Sequence, residues 1–176
     1  MRMRIAMGMA YCLDYMHQLT PPISHKNLNS SSVNLTEDYA AKISDFGLCN
    51  DSSTNTEPTP ESNVYSFGII LFEMITGRIP YAGGDAIDDW ALDFLRGENP
   101  MIELVDPTLD SFDADQLEAI GKIIRSCVNP DPKRRPKMGD VTSKLKEMTR
   151  ISQDGATPKI SPLWWAELEI LSTEAS

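Results

Sequence analysis

Between Met3 and His17 the inward-facing positions fall at Ala6, Met9, Ala10, Leu13, Met16 and His17, the i, i+3, i+4, i+7 spacing of an amphipathic helix. Pro21-Pro22 stops it, because proline lacks the N–H that a helix interior needs. A short hairpin is predicted next: Val33-Asn34-Leu35, a polar turn at Thr36-Glu37-Asp38, then Ala40 to Ser44. Residues 50–62 carry no large apolar side chain and read as a loop. Ser62 or Asn63 then caps a helix running to about Thr76, closed by Gly77 and Pro80. Its apolar residues (Val64, Phe67, Ile69, Ile70, Leu71, Phe72, Met74, Ile75) point in nearly every direction. A helix apolar on all sides is buried on all sides, so it is expected at the centre of the domain.

Three amphipathic helices follow. One holds Ile87, Trp90, Ala91, Phe94 and Leu95. The next opens at Asp113-Ala114-Asp115-Gln116, which reads as a capping box, and turns Leu117, Ile120, Ile124 and Cys127 inward. The last carries Val141, Leu145 and Met148. Helices around one buried helix, with a single small hairpin, make a mainly α domain over residues 1–150. Residues 151–176 read as an attached tail: Pro158 and Pro162 bracket Ile160, ahead of the apolar run Leu163-Trp164-Trp165. No internal repeat is visible.

Composition adds exclusions. The 176 residues are 41% hydrophobic, enough for one domain with a real core. No apolar run approaches the roughly 20 residues of a membrane span, so this segment is expected to be soluble and not to insert in a membrane. The basic start Met1-Arg2-Met3-Arg4 has the flavour of a signal peptide, but Asp14 and His17 interrupt the apolar stretch and a helical stripe explains it better. Cys12, Cys49 and Cys127 are an odd, scattered set, which argues for reduced thiols in a cytoplasmic setting rather than disulfides or zinc. A net charge of −10 disfavours nucleic acid, whose phosphates need a positive surface. Lys133-Arg134-Arg135 is too small a patch to change that.

The chemistry-bearing residues come in four groups. Asp45-Phe46-Gly47 follows the second strand directly, and His25-Lys26-Asn27-Leu28 stands just before the hairpin. Asn63-Val64-Tyr65-Ser66-Phe67-Gly68 opens the buried helix; Pro130, Arg135-Pro136 and Met138 precede the last one. In this order and element context they resemble the C-terminal lobe of a protein kinase. The wording of Asn63 to Pro80 and of Cys127 to Met138 is similar to plant leucine-rich-repeat receptor-like kinases. The tail Ser161-Pro162-Leu163-Trp164-Trp165-Ala166-Glu167 resembles a small subgroup of them, the one including MALE DISCOVERER and its root-hair relatives. The resemblance implies a bilobal Ser/Thr kinase domain in the parent, held on the cytoplasmic side of the plasma membrane by one span below an extracellular repeat domain. The Gly-rich loop, strand lysine and partner Glu of the N-terminal lobe do not occur in this sequence.

Against that family the departures carry the functional expectation. Asn27 stands where the family has the Asp that accepts the substrate hydroxyl's proton. An amide has no usable basicity, and losing a positioned general base typically costs ~10²–10⁴ in rate. Asn29 stands at the position of the Lys that contacts the transferred phosphoryl group, and Ser32 at that of the Asn holding the second magnesium. Asp45 keeps the magnesium position. The resemblance gives His25, Phe46, Gly47, Asn63 and Arg135 structural roles, with Asn63 replacing an Asp that braces the catalytic loop. Thr59-Pro60-Glu61 echoes Ala-Pro-Glu, whose Glu pairs with a buried Arg matched by Arg135. Only 15 residues, Leu48 to Ser62, separate the Asp-Phe-Gly motif from the central helix, leaving little room for a substrate platform.

The expectation is therefore a pseudokinase lobe, a scaffold or allosteric partner for other receptor-like kinases or signalling proteins. ATP and magnesium are implied by the family only, and neither is expected to be held by this segment. Residual Ser/Thr kinase activity in the full-length parent is one alternative, and a truncated chain without function another. Ser52, Ser53, Thr54, Thr56 and Thr59 fit a polar loop better than a set of phosphate acceptors. Two adjacent indoles need cover from somewhere, the lobe itself or another protein, and Trp164 and Trp165 are assigned to partner binding.

Overall fold

The structure, a computed structural model, describes residues 1–44, 57–81, 87–109 and 114–159. Its axis is a helix running Pro60–Thr76. Among the described residues it is α2, following α1 (Arg2–Gln18), β1 (Val33–Leu35) and β2 (Ala41–Ile43). The start of α2 lies about one turn earlier than the sequence pattern predicts. The Thr59 hydroxyl accepts the Ser62 N–H and the Ser62 hydroxyl accepts the Thr59 N–H, a reciprocal cap, with Pro60 at the first helical position. Asn63 is consequently inside the helix and 1% exposed, rather than at its cap.

Val64, Phe67, Leu71, Phe72 and Ile75 of α2 are buried, together with Ile69 and Ile70 on its other sides. Each such side chain contributes roughly 1.5–3 kcal/mol by leaving water, which is why this helix sits in the middle. At its end Gly77 adopts φ 67°, and a Cβ there would lie 2.7 Å from Asp106 Oδ2. Asp106 itself takes the Arg2 guanidinium and the Thr108 N–H, and its own N–H bonds the Ile75 carbonyl.

Among the described residues the remaining helices are α3 (Asp89–Arg96), α4 (Ala114–Cys127), α5 (Met138–Thr149) and α6 (Gln153–Ala156). Phe94 of α3 stacks on Phe72 at 5.0 Å between ring centroids, and Trp90 stacks on the same ring at 5.3 Å. Helix α4 comes so close to α2 that a Cβ on Gly68 would lie 2.7 Å from Cys127 Cβ. Helix α4 begins at Ala114; Asp113 lies outside the described residues. Helices α1 and α5 pack together, and Thr142 donates its hydroxyl to the Ala10 carbonyl across the contact.

The two strands pair antiparallel, Val33 opposite Ile43 and Leu35 opposite Ala41, and β2 rests on α1. The boundary drawn at residue 150 falls within packed structure: Tyr11 donates its hydroxyl to the Ile151 carbonyl, and Ala156 of α6 is buried against Gly8. Among the described residues the architecture is mainly α with one two-stranded sheet. Among the described residues no helix is long and apolar enough to cross a membrane.

Candidate functional site

The loop joining α1 to β1 is built on His25, whose residue is 1% exposed. Its backbone N–H donates to Asn63 Oδ1 at 2.7 Å, and Asn63 Nδ2 donates back to its carbonyl at 2.7 Å. The ring's Nε2–H donates to the Ser44 carbonyl at 2.7 Å, because a carbonyl can only accept. That leaves Nδ1 as the acceptor for the Asn27 N–H, 3.2 Å away, and defines the neutral tautomer. One imidazole thus ties the loop to the end of β2, while α2 holds its backbone.

Beyond His25 the polar side chains satisfy one another. Asn29 Oδ1 accepts the Ser31 N–H and hydroxyl, and its Nδ2 donates to the Asn27 carbonyl at 3.2 Å and Oδ1 at 3.4 Å. The buried Ser32 hydroxyl donates to the Asn29 carbonyl at 2.7 Å and accepts the Asn29 N–H at 3.1 Å. These bonds form a capped 3₁₀ turn over Ser30–Ser32, for which the run Asn-Ser-Ser-Ser is well suited, since short hydroxyl and amide side chains bond nearby backbone. Ser32 also closes the hairpin, its carbonyl accepting the Ser44 N–H at 2.9 Å. The fold therefore brings Asn27, Asn29 and Ser32 onto one loop. Asp45, Phe46 and Gly47, which follow Ser44, lie outside the described residues, as do Trp164 and Trp165.

Arg135 departs from the expected carboxylate pairing. It is half-buried, donating Nε to the Asn129 carbonyl at 2.8 Å and Nη1 to the Glu61 backbone carbonyl at 3.0 Å, with its guanidinium 4.8 Å from the Tyr65 ring centroid. The Glu61 residue is exposed in the first turn of α2, where the helix N-terminus favours a negative charge.

Two cavities flank the loop's supports. One of about 440 Å³ lies between the end of α1 and the starts of α2 and α5, lined in part by His17, Val64, Arg135 and Met138. Burial lowers the pKa of His17, against the opposing pulls of Asn63, Asp14 and Glu61, and its Nε2 stands 3.5 Å from Asn63 Oδ1. The other, about 180 Å³, lies beneath the loop against Leu28, Asn29, Tyr65, Glu73 and Tyr81. Burial pushes the Glu73 carboxyl up while a Ser30 hydrogen bond pulls it down, and the Tyr65 and Tyr81 hydroxyls meet at 3.3 Å. Sequence reasoning missed His17, Glu73 and the tyrosine pair. Glu73 carried a signal, being the one acid within the apolar run from Val64 to Ile75.

A helical lobe around a buried central helix, whose loop is anchored on that helix and leads through a small hairpin, is a kinase-like lobe. The model of the protein tyrosine and serine/threonine kinase family matches residues 50–145, and the chain belongs to that family. It is 54% identical over 187 residues to an inactive receptor-like serine/threonine-protein kinase of Arabidopsis thaliana, covering 98% of this chain and 38% of the relative. It is 45% identical over 191 residues to the protein MALE DISCOVERER 1 of the same plant, covering 99% of this chain and 27% of that one. The chain thus spans well under half the length of these curated relatives. Among solved structures, an apo pseudokinase matches at 37% identity with a TM-score of 0.71, over 86% of this chain and 53% of the other. The pseudokinase DRIK1 (drought responsive inactive kinase 1), in a co-crystal with ENMD-2076, matches at 38% identity with a TM-score of 0.72, over 86% and 53% respectively.

Proposed function

We propose that the chain is part of a pseudokinase domain, one that signals by binding other receptor-like kinases or signalling proteins and does not transfer phosphate. The observation that carries this reading is Asn27: the family's proton acceptor is replaced by an amide, on a loop whose Asn29 and Ser32 are bonded to their own neighbours. A group already donating and accepting within its own turn is poorly placed to meet a phosphate or a metal. At the family's second magnesium position Ser32 offers one engaged hydroxyl in place of an amide oxygen, while the carboxylate kept at Asp45 lies outside the described residues. The inactive receptor-like relative and the pseudokinase structures support the same reading. The receptor-like relative supports a membrane-anchored parent, and the resemblance of the sequence to leucine-rich-repeat receptor-like kinases supports an extracellular repeat domain, with this lobe on the cytoplasmic side.

One feature favours a second reading, residual Ser/Thr kinase activity of the full-length parent: Asp45 keeps the acidic residue of the Asp-Phe-Gly motif. The deciding experiment incubates both the chain and its full-length parent with radiolabelled ATP, Mg²⁺ and a generic acceptor protein. The pseudokinase reading expects no incorporation above a heat-killed control. Magnesium-dependent incorporation by the parent that is abolished by Asp45→Ala would overturn it.

A further inference from the structure

After α5 the chain turns back along α1 as a strap, residues 151–159. The Tyr11 hydroxyl donates to the Ile151 carbonyl at 3.0 Å, and Arg4 donates to the Gly155 and Thr157 carbonyls at 2.8 and 3.0 Å. Little apolar surface holds the strap down: Ala156 is buried, Ile151 and Pro158 are half-buried, and its other residues are exposed. A cavity of about 220 Å³ remains beneath it, lined by Tyr11, Cys12, Ala41 and Pro158 among others. Segments with few buried apolar contacts open at a free energy well below that of global unfolding, so the hydrogen bonds decide whether this one stays closed.

Those bonds are shared with the hairpin. The guanidinium that takes the two strap carbonyls also bonds the Asp38 carbonyl and, at 2.8 Å, the Asp38 carboxylate, at the turn between β1 and β2. The carboxylate in turn accepts the Lys159 N–H at 3.0 Å and, on its other oxygen, the Thr36 hydroxyl. Thr36, Lys159 and Arg4 hold this carboxyl well below the usual carboxylate range, so it is charged at neutral pH. Gly8 of α1 marks the same junction, since a Cβ there would lie 3.3 Å from the Ala156 carbonyl oxygen and 3.4 Å from Ala41 Cβ. A two-stranded hairpin is marginal in water by itself, so this one depends on its ties. They are Arg4 at the tip and, at the base, the Ser44 N–H on the Ser32 carbonyl and the His25 ring on the Ser44 carbonyl. We propose that strap and hairpin form one cooperative latch with Arg4 as its keystone: releasing residues 151–159 from α1 loosens the hairpin and, through Ser44, the loop that carries Asn27, Asn29 and Ser32. A protein that draws the strap off α1 loosens the candidate loop, and by reciprocity one that grips the loop tightens the strap. This regulation involves no phosphate transfer, so it stands or falls separately from the pseudokinase reading.

The test is amide hydrogen exchange on the full 176-residue chain, under conditions where the rate follows the opening equilibrium. Among the described residues Ser152 bonds within the strap alone, accepting the Gly155 and Ala156 N–H groups. Ser152→Ala removes that cap, a loss worth about fivefold in an opening equilibrium. In one cooperative unit the amides of Ala156 and Lys159 and those of Tyr39, Ala40 and Ser44 should speed up by the same factor, with the amides of α2 unchanged. Thr36→Val, confined to the turn, should speed the strap amides in return. Arg4→Lys keeps the charge but loses the fork of donors, and should speed both segments more than either of these. Should it fail to fold, Ser152→Ala and Thr36→Val decide. A Ser152→Ala chain whose strap speeds up while the hairpin keeps its native rates overturns the proposal. So does acceleration that reaches α2 equally, the mark of global unfolding, and so does a Ser152→Ala or Arg4→Lys chain that exchanges like the native one.

Discussion

The side-chain amide of Asn63 holds both backbone polar groups of His25, accepting its N–H and donating to its carbonyl, each at 2.7 Å. This pairing copies one rung of a β-ladder inside the core, between residues 38 positions apart in sequence. It requires an amide. A carboxylate can accept the N–H, but its second oxygen would face the carbonyl oxygen with no proton between them.

Asn63→Asp, the change that restores the family's acidic residue, is therefore expected to destabilise this protein. The substitution leaves a buried carbonyl unpaired and buries a charge, at a cost of about 1–3 kcal/mol or more. Urea unfolding at neutral pH should show a lower midpoint with the slope unchanged. A variant as stable as the native chain would mean that the loop rearranges to accommodate the acid.

Gly68→Ala puts two effects in opposition. Alanine favours a helix interior by about 1 kcal/mol over glycine. The new methyl, however, would lie 2.7 Å from Cys127 Cβ and 2.9 Å from Val128 Cγ1, where no flexible chain end can yield. Overpacking in a tight core costs about 1–3 kcal/mol, so the net expectation is a lower melting temperature. A higher one would show that α4 is free to slide on α2.

Nucleotide should bind weakly at best. A ligand that binds only the folded state raises stability by RT ln(1 + [L]/Kd). With millimolar ATP and Mg²⁺ a thermal-shift assay should therefore show almost no change. A rise of several degrees that disappears in Asp45→Ala would locate a working nucleotide site beside the loop.

Acid should unfold the protein in two stages. Burial lowers the pKa of His17 from 6.5, so the unfolded chain takes up that proton first and stability falls as the pH drops below 6.5. Asp106 is held at about 2, against 3.8 unperturbed, by the Thr108 N–H first and then by Arg2 and the Thr108 hydroxyl. A depressed carboxyl contributes stability that is complete above 3.8 and is lost as the pH falls towards 2. Melting temperatures measured across this range should lose their first step in His17→Gln; the second should shrink but persist in Asp106→Asn, because Thr36, Lys159 and Arg4 also hold the Asp38 carboxyl well below its ordinary range.

The periodicity of the chain was enough to place α1, the hairpin, α2 and α3 to α5, because each of those faces repeats within a few residues, whereas the four-residue α6 fell in what read as a tail. It misplaced the start of α2 by about one turn, since Thr59-Pro60 can begin a helix as well as end a loop, and only the reciprocal Thr59–Ser62 cap decides. The motif around His25 was legible as a loop before a hairpin. Its closed bonding was not, because Asn29 and Ser32 have the same composition whether they face a ligand or each other.

What the sequence determined by itself is the identity of groups: an amide at position 27, a serine at 32, an apolar helix that has to be central. Chemistry of that kind is a property of single residues and of short-range order. Which groups meet was decided by the tertiary structure alone. Asn63 reaches His25, Arg135 finds the Glu61 carbonyl rather than its carboxylate, and Arg4 latches a strap more than 150 residues away. Such contacts join segments distant in sequence, and their geometry is fixed only when the helices pack around α2 and bury the backbone groups that must then find partners.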